Sequence, residues 1–174
     1  GNVGDAFVDV DTVVPGTQVP LRAAMIDANG WATPTFIYVP RGKYQLTLFG
    51  TEPGAAVGDL DVAATRTMTI IGTGAGETII DASPLRNTAF SDRVFDVAPG
   101  ATLTLGKLTI TGGRAPEASN EYHGGGIYVR GGAGLFMNGV AVVENQAWSA
   151  VSNGGGIYFA DGAGGIILNS VITG

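Results

Sequence analysis

Asp81, Asp92, Arg93 and Asp96 form the densest local set of the side chains that acid–base chemistry requires. Breaking a glycosidic bond takes two or three carboxylates, or carboxylates with a basic partner, converging on one sugar. Arg93 is equally placed to pair with Asp81 or Asp92 at a turn, and a structural salt link or solvated turn is the stronger reading. Asp9 with Asp11, and Asp59 with Asp61, offer paired oxygens of the kind calcium takes, but neither pair belongs to an EF-hand loop or a GGxGxD array. Solvated strand faces explain both pairs better, so no cofactor is implied. His123 is the single histidine. A histidine zinc site or a Ser-His-Asp triad would rest on it alone, and beside Tyr122 and three glycines it reads as a loop residue. The glycines at 72, 74 and 76 lack the GxGxxG spacing and run into strand-like sequence, which excludes a dinucleotide loop.

Tyr128 and Tyr158 recur within GGGIY, and with Asp96 they fall at aligned, outward strand positions. Stacked outward rings make a flat face on which a sugar can lie, although cross-strand packing accounts for the pair without a ligand. Trp31 and Trp148 are expected to pack against loops or an interface.

The elements that must position these residues are short. AFVDVDTVV alternates at period two, with Val8, Val10, Thr12 and Val14 on one face and Phe7, Asp9, Asp11 and Val13 on the other, as in a half-buried strand. Residues 20–29 place Leu21, Ala24, Met25 and Ala28 at helical spacing after Pro20, and Asn29-Gly30 supplies a stop. From Phe36 onward come runs of three to five residues: FIYV, YQLTL, DLDV, TMTII, ETIID, RVFDV, ATLTL, KLTIT, GIYV, LFM, VAVV, GIYF, IIL and VIT. Turn residues such as Pro40-Arg41-Gly42 and Pro99-Gly100 separate them.

A repeat decides among all-β architectures. GGGIY recurs at an offset of 30, Asn138 matches Asn169 at 31, and LTLGKLTI matches LFMNGVAV at 32. A drifting period near 30 describes a fixed core with loops that absorb the slack, as in a solenoid. Leu103, Leu105, Leu108 and Ile110 then repeat as Leu135, Met137, Val140 and Val142 and are expected to stack inward. The last copy, with Ile166, Ile167, Leu168, Val171 and Ile172, is apolar throughout, so its inward face is open at this level. Triple glycine before Ile127 and Ile157 marks a corner, where positive φ is needed.

Totals bound the function. The 174 residues fit one domain, and Gly and Pro, 37 together, stay below the level of disordered low-complexity chains. The net charge of −6 without a Lys/Arg cluster argues against nucleic acid or anionic membrane surfaces and leaves basic targets or neutral glycans. Without cysteine there is neither a disulfide framework nor a thiolate metal site. No apolar run approaches the roughly 20 residues of a membrane span, and a start at Gly1 without Met suggests a processed or excised chain, which fits export.

TIIGTGAGETIID, DRVFDVAPGATLTLGKLTITGG, GGGIY and NSVITG resemble the right-handed parallel β-helix repeats of bacterial surface proteins, a pectate-lyase-like fold. Within these the chain resembles the CSLREA-type group, whose helical segment would be VPLRAAMIDAN, with Val19-Pro20 in place of Cys-Ser. The GGGI repeats and Val142-Val143-Glu144-Asn145 are similar to repeats of polymorphic outer-membrane proteins. The resemblance implies a fold, export and a surface role.

The expected architecture is an all-β, right-handed parallel β-helix of about 4–6 coils with one N-terminal capping helix. Residues 1–14 would form a leading strand, 20–29 the cap and 36–174 the coils, the last incomplete. The expected function is a non-catalytic extracellular or cell-surface module that self-associates end to end into a filament or adhesin, without nucleic acid or a membrane span. Phe7, Val8, Val10 and Val14, donated as a strand, would meet Ile167, Leu168, Val171 and Ile172 of a neighbour. The alternatives are a glycan-binding module using Tyr128, Tyr158 and Asp96, or a polysaccharide-degrading enzyme, which needs three charged side chains converging on one outer face.

Overall fold

The computed structural model describes residues 7–9, by backbone alone, together with 21–50, 54–86, 91–116, 122–148 and 152–174. Strand β1 (Phe7–Asp9) precedes helix α1 (Leu21–Gly30). Three-strand turns follow: β2 (Thr35–Tyr38), β3 (Gly42–Gln45) and β4 (Leu60–Val62), then β5 (Thr67–Ile71), β6 (Thr78–Asp81) and β7 (Phe95–Val97). Next come β8 (Thr102–Gly106), β9 (Thr109–Thr111) and β10 (Ile127–Val129), then β11 (Gly134–Asn138), β12 (Ala141–Val143) and β13 (Ile157–Phe159). β14 (Gly164–Leu168) and β15 (Val171–Thr173) lie beyond these. Every run proposed from sequence overlaps one of β2 to β15. The largest shift is at YQLTL, where β3 ends at Gln45 and Leu48 is exposed, because the partner strand β6 ends at Asp81 opposite Gln45.

Strands of successive turns pair in parallel and build three sheets, ordered β1-β2-β5-β8-β11-β14, β13-β10-β7-β4 and β15-β12-β9-β6-β3. The chain is therefore a parallel β-solenoid of about four turns. Each side of the cross-section is only three to five residues long, and alternation sends every second residue inward. Ile37, Ile70, Leu105 and Met137 form one buried column, Ile80, Ile110 and Val142 a second, and Leu60, Phe95 and Ile127 a third. Leu103, Leu108, Leu135 and Val140 are buried as the repeat predicts. Register also settles the last copy: Ile167 continues the column of Met137 and Ile172 that of Val142, while Ile166, Leu168 and Val171 continue outward positions. The offset of 31 between Asn138 and Asn169 is not the register, which pairs Asn138 with Leu168; Asn169 instead donates Nδ2 to Asn138 Oδ1 at 3.0 Å.

Helix α1 buries Leu21, Ala24, Met25 and Ala28, the face read from spacing, against β1, β2 and β4. Its polar side chains pair the exposed edge of the first turn. Asn29 Nδ2 donates to Asp61 O at 2.8 Å and Asn29 Oδ1 accepts from Ala63 N at 2.9 Å. Among the described residues no helix is long and apolar enough to cross a membrane.

The triple glycines have two separate causes. Gly124, with φ of 65°, is the corner residue that an L side chain would strain. Gly125 and Gly126 are small because the next turn passes too close: a Cβ at Gly126 would lie 2.5 Å from Gly156 O. Glycine is not obligatory at every corner, since Lys107, Gly139 and Asn169 stack at one corner with φ of 53°, 68° and 49°.

Asn145 is a buried corner residue that ties two turns. Its Oδ1 accepts from Gly113 N at 2.9 Å, and its Nδ2 donates to Ile110 O and Val143 O, both at 3.0 Å. Asn145→Ala would leave the Gly113 N–H without its acceptor, and an unsatisfied buried group costs about 1–3 kcal/mol. The expected result is a lower urea midpoint with an unchanged slope.

Candidate functional site

The outer face of the four-stranded sheet carries the aligned column Asp61, Asp96, Tyr128 and Tyr158. The alignment of Asp96, Tyr128 and Tyr158 is as read from sequence; Asp61 is the member that reading missed. Around it gather Asp59 just ahead of β4, and Asp92 and Arg93 ahead of β7. Arg130, which follows β10, completes the group.

Arg93, almost wholly buried, pairs through Nη1 with Asp96 and lies 4.0 Å from Asp59 Oδ2. Arg130 grips Asp96 from the solvent side, with Nε to Oδ1 and Nη2 to Oδ2 both at 2.7 Å, the two-pronged geometry only a guanidinium supplies. Asp61 Oδ2 accepts the N–H groups of Gly54 and Ala55 at 2.9 and 3.0 Å. Asp92 accepts the N–H of Asp59 at 3.2 Å and of Arg93 at 2.9 Å. Four carboxyls are therefore gathered about the guanidiniums of Arg93 and Arg130, which pair directly with Asp59 and Asp96. Burial, reinforced by the charges of Asp92 and Asp61 and opposed by Arg93, pushes Asp59 well above the ordinary carboxyl range. Burial lifts Asp92 to about 6 against the pull of Arg93.

Two expectations change here. Asp81 does not join this set: it lies on β6, in another sheet, and pairs with Lys43 Nζ at 2.8 Å, so Arg93 pairs with Asp96 and Asp59 instead. Burial works against ionisation of Asp81, but Lys43 and the Ser83 N–H outweigh it and hold its pKa at about 2. The pair Asp59 and Asp61 is not a solvated strand face, because Asp59 is buried and Asp61 half-buried. Among the described residues Asp59, Asp61 and Asp96 bring carboxylate oxygens within 4.8 Å of one another, the spacing at which a cation is held. Arg93 and Arg130 already supply positive charge on two of the three, so the group is satisfied by the chain's own side chains. Of the other pair, Asp9 is seen in backbone alone and Asp11 lies outside the described residues.

Charged side chains thus do converge on one outer face. As arranged they form a buried network: Asp59, Asp92 and Asp96 are 7%, 4% and 4% exposed, which leaves Asp61, Arg130 and Tyr128 as its solvent edge. The aromatic column is also engaged. The Arg93 and Arg130 guanidiniums lie 5.0 and 4.8 Å from the Tyr128 ring centre. His123, a loop residue as expected, stacks on Tyr158 at 4.2 Å while its Nδ1 accepts from Asn153 N at 3.1 Å. A sugar laid on Tyr158 from that side would have to displace the imidazole. Trp148 is exposed, with the Arg114 guanidinium 4.6 Å from its ring, and Trp31 is exposed on the turn after α1.

No protein-family model, curated protein or solved structure matches this chain. The parallel solenoid accordingly rests on the strand pairing itself.

The positions read as self-association residues divide between the two ends. Phe7 and Val8 belong to β1, which pairs in parallel with β2 of its own chain, Phe7 opposite Phe36 and Val8 opposite Ile37. Val10 and Val14 lie outside the described residues. At the other end Ile167 is 38% and Ile172 47% exposed, whereas Met137 and Val142, one turn earlier in the same columns, are 2% and 0%. Leu168 and Val171 are more than half exposed.

Proposed function

We propose that the chain is a non-catalytic structural module of an exported, extracellular or cell-surface protein, of the right-handed CSLREA-type β-helix kind, that associates end to end. The observation that carries this reading is the bare cross-section of the last turn. Ile157, Phe159, Ile167 and Ile172 continue inward columns whose members one turn earlier, Ile127, Val129, Met137 and Val142, are buried, and among the described residues the outer edges of β13, β14 and β15 carry unpaired backbone groups. Apolar columns and parallel edges of this kind are covered by another turn of the same geometry, whether from a longer polypeptide or from a second molecule. The proposal commits to a second copy, with β14 of one molecule laid against the edge of β1 in the next, where among the described residues β1 pairs with β2 alone. That contact extends the six-stranded sheet and is heterologous, so it propagates unless its rotation closes. β1 takes part as a fixed edge of its own molecule rather than as an exchanged strand.

Sedimentation velocity over a hundredfold range of concentration tests this. The native chain is expected to grow in mass with concentration, and Ile167→Lys with Ile172→Lys to abolish growth by placing two charges in the contact. Both substitutions lie at exposed positions and should leave the circular dichroism spectrum unchanged. A native chain that stays monomeric throughout would sink end-to-end association.

A further inference from the structure

Residues 54–58 cross the corner ahead of β4 and are fastened on three sides. Asp61 holds the N–H groups of Gly54 and Ala55. Arg22 of α1 donates to the carbonyls of Ala55, Gly58 and Asp59 at 2.7, 2.6 and 2.9 Å. Asp92, one turn below, holds the N–H of Asp59 at 3.2 Å, and Gly58 packs so closely over it that a Cβ there would lie 2.5 Å from Asp92 Oδ2. The segment therefore sits on two buried acids, Asp59 and Asp92, in adjacent turns. The charged groups facing them are Asp61 on β4, Arg22 on α1, Arg93 and Asp96 at β7 and Arg130 after β10, with the Tyr128 ring beneath both of the last arginines.

We propose that this corner is a proton-operated latch: while the Asp59 and Asp92 pair retains a proton, residues 54–58 are seated on the turn below, and when the pair is stripped they release while the later turns stay stacked. The reason is charge balance. With one proton on the pair, three carboxylates face the guanidiniums of Arg22, Arg93 and Arg130, and the dry pair carries one negative charge rather than two. Without it, a fourth negative charge is buried beside Asp92 and Asp61, and Arg93, already committed to Asp96, is its nearest counter-charge. Burial raises both acids, Asp92 to about 6 and Asp59 well above the ordinary carboxyl range, and the two titrate as a coupled pair.

The sign follows from linkage. Both groups bind protons more tightly when folded than an ordinary carboxyl does when unfolded, so their contribution is fully present below about pH 4. It is lost as pH rises through the folded values, about 6 for Asp92.

Amide hydrogen exchange on the full chain from pH 5 to 9, expressed as protection factors, tests the latch. The N–H groups of Gly54, Ala55 and Asp59 should lose protection by up to about tenfold per pH unit for each proton released, while those of β8 and β9 hold theirs. Asp59→Asn, which cannot ionise, should remove the pH dependence above neutral. Protection at residues 54–59 that is flat with pH, or that falls in step with β8 and β9, would overturn the proposal from the native chain alone.

Discussion

Arg93→Met is expected to destabilise the fold by about 3–5 kcal/mol at pH 7, the cost of removing one partner from a buried ion network. The guanidinium is 2% exposed and stands between Asp59, Asp96 and the Tyr128 ring. Methionine fills much of its volume but returns no charge, leaving Asp59 without its 4.0 Å counter-charge and Arg130 as the guanidinium on Asp96. The penalty should shrink in acid, because Asp92 takes up a proton near pH 6 and one negative charge disappears. Urea unfolding of the native and Arg93→Met chains at pH 7.5 and pH 5 reads both effects. A loss below about 1 kcal/mol at pH 7.5 is the value of a solvent-screened surface pair, and would show that the network is open to water.

Gly125→Ala should cost about 3 kcal/mol, the upper end for forcing extra atoms into a packed interior. A Cβ at this position would stand 2.5 Å from the Gln146 carbonyl carbon and 2.6 Å from its nitrogen, with the carbonyl oxygen nearer still. That obstacle is backbone, and it is pinned: Gln146 N donates to Gly113 O and Ala115 N donates to Gln146 O, both at 2.9 Å. Relief must come from breaking the bonds that carry one turn past the next. Gly76→Ala is the matched control, since its Cβ would meet nothing within 4 Å. Thermal unfolding should separate the two variants by more than 5 °C, given the few degrees per kcal/mol of a chain this size. Equal midpoints would mean that the turns stand further apart than the structure has them.

The contrast between these two sites marks how far sequence reading reaches. GGGIY shows three consecutive glycines and predicts a corner, which Gly124 fulfils with its positive φ. That Gly125 is glycine for clearance belongs to another turn, twenty-one residues along the chain, and no local pattern records it. The charged network is similar. Asp92, Arg93 and Asp96 are neighbours in sequence and were recognisable as a group. Asp59, Asp61 and Arg130 join them across steps that vary with loop length: Asp61 to Asp96 is 35 residues, Asp96 to Tyr128 is 32 and Tyr128 to Tyr158 is 30. The longest of these steps, 35 residues, hides Asp61, while the nearer-regular steps let Asp96, Tyr128 and Tyr158 be aligned from the repeat. Asp81 was misplaced for the converse reason, being close in sequence yet on a different side of the cross-section.

What the sequence determined by itself was everything set by alternation and spacing along one strand or one helix: the strands, the inward columns and the buried stripe of α1. Those are properties of side chains relative to their own backbone, and hydrophobic burial enforces them wherever the strand ends up. Only the tertiary structure decided which outward side chains meet, which acids are dry enough to keep a proton, and which apolar residues of the last turn are bare. These depend on distances between turns, and the strength of a charge or the cost of an exposed methyl is fixed by what the neighbouring turn places against it.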